Sequence, residues 1–89
     1  MPFNDQFPTF PLDAFPAIPD GFEDTSWRND ACPCVEGRGF IVWIDWPDIA
    51  ERECGGLRFT VTRLADEWQA VAFESDDWAP VLAFITKEA

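Results

Sequence analysis

The chain has 89 residues, in which 17 aspartates and glutamates oppose 6 lysines and arginines, and without any histidine its formal charge at pH 7 is −11. This length suits one domain with one modest hydrophobic core. A hydrophobic content of 47% and an aromatic content of 16% exclude an intrinsically disordered acidic chain, because such chains are poor in aromatic residues. The scarcity of clustered cations argues against direct binding to nucleic acid, which needs lysine or arginine opposite the phosphates.

The N-terminal residues and the length of the apolar runs indicate a cytoplasmic protein. The first ten residues include Pro2 and Asp5 and lack the apolar core of a secretory signal. Every apolar run is far shorter than the roughly 20 residues that cross a membrane. An anionic lipid surface would also repel so acidic a chain. We therefore expect no membrane partner.

Cys32, Cys34 and Cys54 make an odd number of cysteines, which is typical of reduced thiols in a reducing compartment. A structural zinc site normally needs four cysteine or histidine ligands, and here a carboxylate would have to be the fourth. We therefore predict no metal and no cofactor, and we expect all three thiols to tolerate replacement by serine. On oxidation, Cys54 could pair with Cys32 or Cys34.

Residues 1–26 differ from the rest of the chain, because they hold five of the eight prolines and neither lysine nor arginine. Within them, Phe7–Pro11 is echoed eight residues later by Phe15–Pro19. Proline fixes its own φ and biases the preceding residue to extended geometry. The pattern predicts an extended arm in polyproline II geometry, with neither helix nor central strand. A single acidic domain is expected to follow at residues 27–89.

Two hypotheses describe what this arm contacts. In the first, the arm packs on its own domain, most closely against Trp43 and the neighbours on the same face. In the second, it docks into an aromatic-lined groove of a partner. We prefer the first, because the apolar side chains of the arm, exposed together, would exceed the patch that a soluble monomer tolerates. Those side chains are Phe7, Phe10, Phe15, Ile18 and Phe22.

Three later segments have the composition of β-strands. Residues 39–46 are β-branched and aromatic and end at Pro47, residues 57–64 alternate apolar with polar side chains, and residues 68–74 form a third strand. A short fourth strand could lie at residues 31–36. Both faces of the first strand are largely apolar, which predicts that a helix covers one face and the arm covers the other.

The C-terminal segment has the clearest helical pattern. Ser75, Asp76 and Asp77 offer N-caps. An apolar stripe at i, i+3, i+4 and i+7 follows, formed by Trp78, Val81, Leu82 and Ile85. The predicted fold class is therefore α+β: a three-stranded or four-stranded antiparallel β-meander with one C-terminal α-helix packed on it and an extended, Pro/Phe-rich N-terminal arm.

Catalytic chemistry is not expected. The chain has no histidine or tyrosine, and Ser26 and Ser75 are its serines, so the usual general bases and nucleophile pairs are missing. Its glycines at 37, 39, 55 and 56 match no phosphate-binding loop. We therefore predict that the protein is not an enzyme.

The carboxylates are the candidate partner-binding groups. Because loops and strand ends of a meander can converge at one edge, we expect the turns around residues 45–53, 66–67 and 74–77 to form one anionic surface. The predicted partner-binding residues are Asp48, Glu51, Asp66, Glu67, Asp76 and Asp77.

A surface of fixed anions presents to a cationic groove the same sign of charge as a phosphate backbone. Small size and extreme acidity are typical of the broad class of DNA-mimicking proteins from phages and mobile elements, which includes anti-restriction and anti-CRISPR proteins. We therefore predict an inhibitor that binds a basic nucleic-acid-handling protein or complex, by mimicry or by steric block. The alternative is a noncatalytic adaptor or antitoxin-like accessory protein that binds through aromatic surfaces and the N-terminal arm.

Overall fold

In the computed structural model, which describes residues 2–52, 56–66 and 70–88, a five-stranded antiparallel sheet carries a C-terminal helix on one face. The strands are β1 (Phe22–Asp24), β2 (Cys34–Gly37), β3 (Phe40–Ile44), β4 (Phe59–Arg63) and β5 (Val71–Ser75), and they lie in the sheet in sequence order. The helices are the single turn α1 (Phe3–Gln6) and α2 (Trp78–Glu88), and 3-10 turns span Leu12–Ala14 and Ile49–Glu51.

The α+β class is confirmed, whereas the expected count of three or four strands is wrong because the sheet has five. The possible strand at residues 31–36 is confirmed in part, because β2 spans Cys34–Gly37. The additional strand, β1, lies at the sheet edge and pairs three residues, Phe22–Asp24, with Val35, Glu36 and Gly37. A strand of three residues is too short for a period-two pattern to appear in the sequence.

The N-terminal segment is not a continuous extended arm, so the expectation that it contains no helix is wrong. The helix α1 begins directly after Pro2, and the 3-10 turn Leu12–Ala14 begins directly after Pro11. The first N–H groups of a helix have no intrahelical partner, so a proline beside the first turn sacrifices no hydrogen bond. Proline therefore starts these two turns instead of preventing them.

The inner face of the sheet packs against α2 to form the core. The two-residue turn Arg38-Gly39, in which both φ angles are positive (51° and 84°), sets the register of β2 with β3. That register pairs Val35 with Val42, and the register of β3 with β4 pairs Val42 with Val61. From the predicted stripe of α2, Val81 and Ile85 are buried and Trp78 and Leu82 pack at the margin of the core.

The arm packs on its own domain, as preferred, but on the inner face and not against Trp43. Phe7 and Phe10 are buried in the same cluster as Val42 and Ile44. Trp43 has Cys34 and Thr60 as its cross-strand partners and lies on the opposite, outer face. The expectation that arm and helix cover different faces is therefore wrong, since both cover the inner face.

Aromatic contacts hold the arm together over the end of β3. Phe3 stacks on Phe15 with ring centroids 3.9 Å apart, and Phe10 lies 4.9 Å from Trp46. The Phe3 N–H also donates to the Asp24 carboxylate at 2.6 Å, which ties α1 to β1. None of the described helices is both long and apolar enough to cross a membrane.

Gly37 allows β1 to approach β2 closely, which gives a testable prediction. A Cβ at this position would overlap the Gly21 carbonyl oxygen and lie 2.7 Å from the Phe22 Cα. We expect Gly37→Ala to lower the free energy of unfolding by roughly 1–3 kcal/mol, as overpacking does. Gly56→Ala is the control, because nothing lies within 4 Å of a Cβ there. Indistinguishable urea midpoints for the two variants would contradict this account.

Candidate partner-binding surface

The connections of the meander divide the predicted site residues between two ends of the sheet. Ile44 pairs with Phe59, and Phe59 with Ser75, so the β3–β4 connection and the β5–α2 junction lie at one end. Phe40 pairs with Arg63, so the β4–β5 turn lies at the other end. Successive turns of an antiparallel meander necessarily alternate in this way.

Four of the six predicted residues, Asp48, Glu51, Asp76 and Asp77, therefore lie at the same end of the sheet. Asp66 lies at the opposite end, about 17 Å away by the rise of a five-residue strand. Its carboxylate accepts a hydrogen bond from the Ala70 N–H at 3.2 Å, which closes the β4–β5 turn. Glu67 lies outside the described residues. The expectation that all six residues share one edge is therefore wrong, because Asp66 lies at the opposite end.

Two further carboxylates join the four at this end. Asp45 follows β3, and Asp13 lies in the 3-10 turn whose Ala14 carbonyl accepts a hydrogen bond from Arg58. We call this surface the acidic end; it consists of Asp13, Asp45, Asp48, Glu51, Asp76 and Asp77. Of the other two carboxylates expected on this surface, Glu53 lies outside the described residues and Glu74 lies on the outer face of β5.

Local hydrogen bonds position these carboxylates. Asp48 Oδ1 accepts from the Ala50 N–H at 3.0 Å and so begins the 3-10 turn that carries Glu51. Asp76 Oδ1 accepts from the Arg58 N–H at 3.1 Å. Asp77 immediately precedes α2, where the helix dipole favours negative charge. The acidic groups thus occupy places that suit the backbone while their charges stay in solvent.

The guanidinium group of Arg52, at the acidic end, forms hydrogen bonds within its own loop. Its Nε donates to the Trp46 carbonyl at 2.6 Å, and its two terminal nitrogens donate to the carbonyls of Pro47 and Gly56 at 3.3 and 3.0 Å. The side chain is only 7% exposed, and its Nη1 lies 3.9 Å from Asp76. Among the described residues, Arg52 therefore fixes the loop and pairs with one exposed carboxylate.

Arg58 has a similar position and connects the arm to the sheet. Its Nε donates to the Asp45 carbonyl at 2.8 Å and its Nη2 to the Ala14 carbonyl at 2.5 Å. Burial and, second, repulsion from Arg52 lower the pKa of Arg58, whereas Asp45 opposes the shift. The guanidinium stays charged even so, because its ordinary pKa is very high.

The positions of these residues in the sequence predict that Arg52, Arg58 and Arg63 balance the nearby Glu51, Glu53, Asp66 and Glu67. Among the described residues, the ion pairs are instead Arg52 with Asp76 and Arg63 with Glu88. Arg38, Arg63 and Lys87 are exposed at the far end of the molecule. Arg28 is an exception: it is exposed and lies in the β1–β2 connection, at the same end of the sheet as the acidic end. Its guanidinium carbon lies 5.8 Å from the centre of the Trp27 ring. The alternation of polar and apolar residues in the sequence does not show at which end of the sheet each cation lies.

The side chains of Cys32 and Cys34 are buried, at 5% and 3% exposure. Within the described parts of the chain, no group of three cysteines, aspartates or glutamates is placed to hold a metal ion. Burial raises the pKa of Cys34 to about 11, against a smaller lowering by the Thr25 hydroxyl. Cys54 lies outside the described residues.

These thiols should react slowly in the folded protein. Because thiolate is the reactive form, a raised pKa and burial both protect Cys34 at about pH 8. We expect the two remaining thiols of a Cys54→Ser variant to react slowly with Ellman's reagent in the native state. Both should react fully once denaturant is added. Fast labelling of both thiols in the native state would contradict the burial.

Comparison of the chain with protein-family models, curated proteins and solved structures finds no match. The acidic end and the outer face of the sheet are therefore the features from which a function can be inferred.

Proposed function

We propose that this protein is a noncatalytic inhibitor that binds a basic nucleic-acid-handling protein through its acidic end. The observation that carries the proposal is that the acidic and the basic side chains at this end differ in their surroundings. Five of the six carboxylates of the acidic end belong to exposed residues and Asp45 is half-buried, whereas the guanidinium groups of Arg52 and Arg58 donate to backbone carbonyls. A partner therefore meets an anionic surface.

Such a surface favours partners with cationic grooves. Complementary fields raise association rates by roughly 10- to 1,000-fold, and salt weakens this effect. An anionic end held by buried arginine clamps offers fixed negative charge in place of phosphates, without the flexibility of an acidic tail. Occupation of the groove, by mimicry or by steric block, would prevent nucleic acid from entering.

The biological setting follows from the same proposal. Nucleic-acid-handling enzymes are cytoplasmic targets in bacteria, and phages or other mobile elements benefit from inhibitors of restriction or CRISPR complexes. We propose a cytoplasmic protein of this kind, with no cofactor and no direct nucleic-acid ligand.

The alternative is a noncatalytic adaptor or antitoxin-like accessory protein. Phe7 and Phe10 are buried in the chain's own core, so these two rings of the arm have no surface to offer a partner. The outer face keeps this alternative open, because Trp43 is partly exposed there and Val71 is 56% exposed. Adaptor binding through such a face would depend weakly on salt.

Capture on the immobilised protein tests the proposal. We expect a host protein that itself binds nucleic acid to be retained at low salt, and to be released by duplex DNA or RNA and by rising salt. Retention that nucleic acid and salt both leave unchanged would contradict the inhibitor proposal and support the adaptor.

A further inference from the structure

The outer face of the sheet contains a pocket of about 350 Å³ beside the acidic end. Trp43, Thr60 and Val71, from three adjacent strands, line it, together with Leu57 from the preceding loop. The exposed face of a one-sided antiparallel sheet is normally polar. The indole, the leucine and the valine on this face depart from that rule, and packing in the core does not explain them because the core lies on the inner face.

The charged groups of this pocket have one sign. Asp45 and Glu74 line it, and no described lining residue is lysine or arginine. One oxygen of Asp45 accepts from the Trp46 N–H at 2.8 Å, which fixes this carboxylate at the rim.

The wall of the pocket also holds an unsatisfied polar group. Thr62 lines the pocket, and its hydroxyl oxygen is buried without a hydrogen-bond partner among the described residues. Buried polar groups are normally hydrogen-bonded. A ligand with N–H donors would therefore suit this wall better than an apolar ligand.

The combination of apolar walls, an indole and two carboxylates matches a side chain with an apolar stem and a cationic head. Arginine fits best, because its planar guanidinium stacks on aromatic rings, carries several donors and is less strongly hydrated than an ammonium group. An anionic ligand would be repelled by Asp45 and Glu74, and a wholly apolar ligand would desolvate them without compensation.

We infer that this pocket receives an arginine side chain of the basic partner. The inference rests on the proposed function and deepens it, because it identifies one anchor of that partner. Asp45 belongs to both the pocket and the acidic end, so a single interface can cover the two surfaces. An arginine inserted beside a tryptophan is a typical centre of a binding hot spot.

An NMR titration with the blocked peptide acetyl-Gly-Arg-Gly-amide tests this inference. The same peptide with citrulline in place of arginine keeps the shape and removes the charge. We expect the arginine peptide to shift the Trp43 indole and Thr60 amide signals saturably. We expect the citrulline peptide to shift neither, and the Trp27 indole, which is 44% exposed and does not line the pocket, to stay unchanged.

Three variants separate binding from folding. Trp43→Ala should abolish the saturable shift of Thr60, whereas Trp27→Ala should preserve it. The double variant Asp45→Asn, Glu74→Gln keeps the apolar walls and the acceptor for Trp46, and should weaken the arginine peptide by about fivefold, as loss of two partly exposed ion pairs does. An equal response to citrulline, equal binding of a lysine peptide, or unchanged affinity of the double variant would overturn the inference.

Failure here is distinguishable from failure of the proposed function. If the peptide does not bind but a nucleic-acid-binding partner is still captured and released by DNA, only the arginine pocket is lost. If the peptide binds but no such partner exists, the pocket stands and the inhibitor proposal falls.

Discussion

Replacing Phe10 by alanine should lower the free energy of unfolding by about 3–5 kcal/mol, the usual cost of removing a buried aromatic ring. Phe10 is 2% exposed and belongs to the cluster that includes Val42 and Ile44. Its ring also lies 5.8 Å from Phe3, 6.4 Å from Phe15 and 4.9 Å from Trp46. Because a small domain has a total stability of only about 5 kcal/mol or somewhat more, this variant should be largely unfolded at moderate temperature.

Leu12→Ala is the matched control for Phe10→Ala. Leu12 lies two residues further along the same segment and is 69% exposed, so its truncation should change the stability by less than about 0.5 kcal/mol. Thermal unfolding followed by circular dichroism measures both variants. Deletion of residues 1–20 should likewise lower the melting temperature strongly and expose dye-binding apolar surface. A stable Phe10→Ala variant would mean that the N-terminal segment does not complete the core.

Replacing Arg52 by methionine should lower the free energy of unfolding by about 2–4 kcal/mol, because a buried charged donor that serves several acceptors is lost. The guanidinium satisfies the carbonyls of Trp46, Pro47 and Gly56, and methionine keeps only the apolar stem. The variant should also change the NMR signals of Asp48 and Asp76, since the loop that carries the acidic end loses its clamp.

Arg63→Met controls for the change of net charge. Arg63 is also a cation in an ion pair, but its side chain is 48% exposed; among the described residues it donates to Glu88 at 3.4 Å and lies 5.2 Å from the Phe40 ring. Its replacement should cost less than about 1 kcal/mol, as is usual for exposed ion pairs. Equal destabilisation in the two variants would show that loss of positive charge alone, and not the clamp, is responsible.

The elements with a strong periodic pattern were predictable from the sequence. The stripe through Val81 and Ile85 identified α2, and the alternation of Phe59 with Val61 identified the inner face of β4. β1 was missed, because a strand of three residues carries no periodic signal. The face that the arm covers was also missed, because both Val42 and Trp43 lie on apolar faces and alternation alone does not rank them.

The candidate site was predictable in its residue types but not in its grouping. Asp48 and Asp76 are far apart in sequence and share one end because an even number of strand reversals separates them. A single strand, β4, separates Asp48 from Asp66, so Asp66 lies at the other end. The roles of Arg52 and Arg58 depend on carbonyl acceptors, which no side-chain pattern encodes.

The location of the negative charge is the central claim, and a comparison of two charge-neutralised variants tests it most directly. The first, Asp48→Asn, Glu51→Gln, Asp77→Asn, removes three carboxylates of the acidic end and keeps an oxygen acceptor at residue 48 for Ala50. The second, Asp20→Asn, Glu23→Gln, Glu36→Gln, removes three carboxylates elsewhere and leaves the same net charge. The measurement is inhibition of nucleic-acid binding by a captured partner.

We predict that the first variant inhibits at least about tenfold more weakly than the unaltered protein, as loss of several cooperating charge pairs requires, and that the second stays within about twofold. The difference should shrink as salt is raised, because screening reduces every exposed pair. Equal losses in both variants would mean that total charge and not the acidic end governs binding. Unchanged inhibition by the first variant would contradict the account directly.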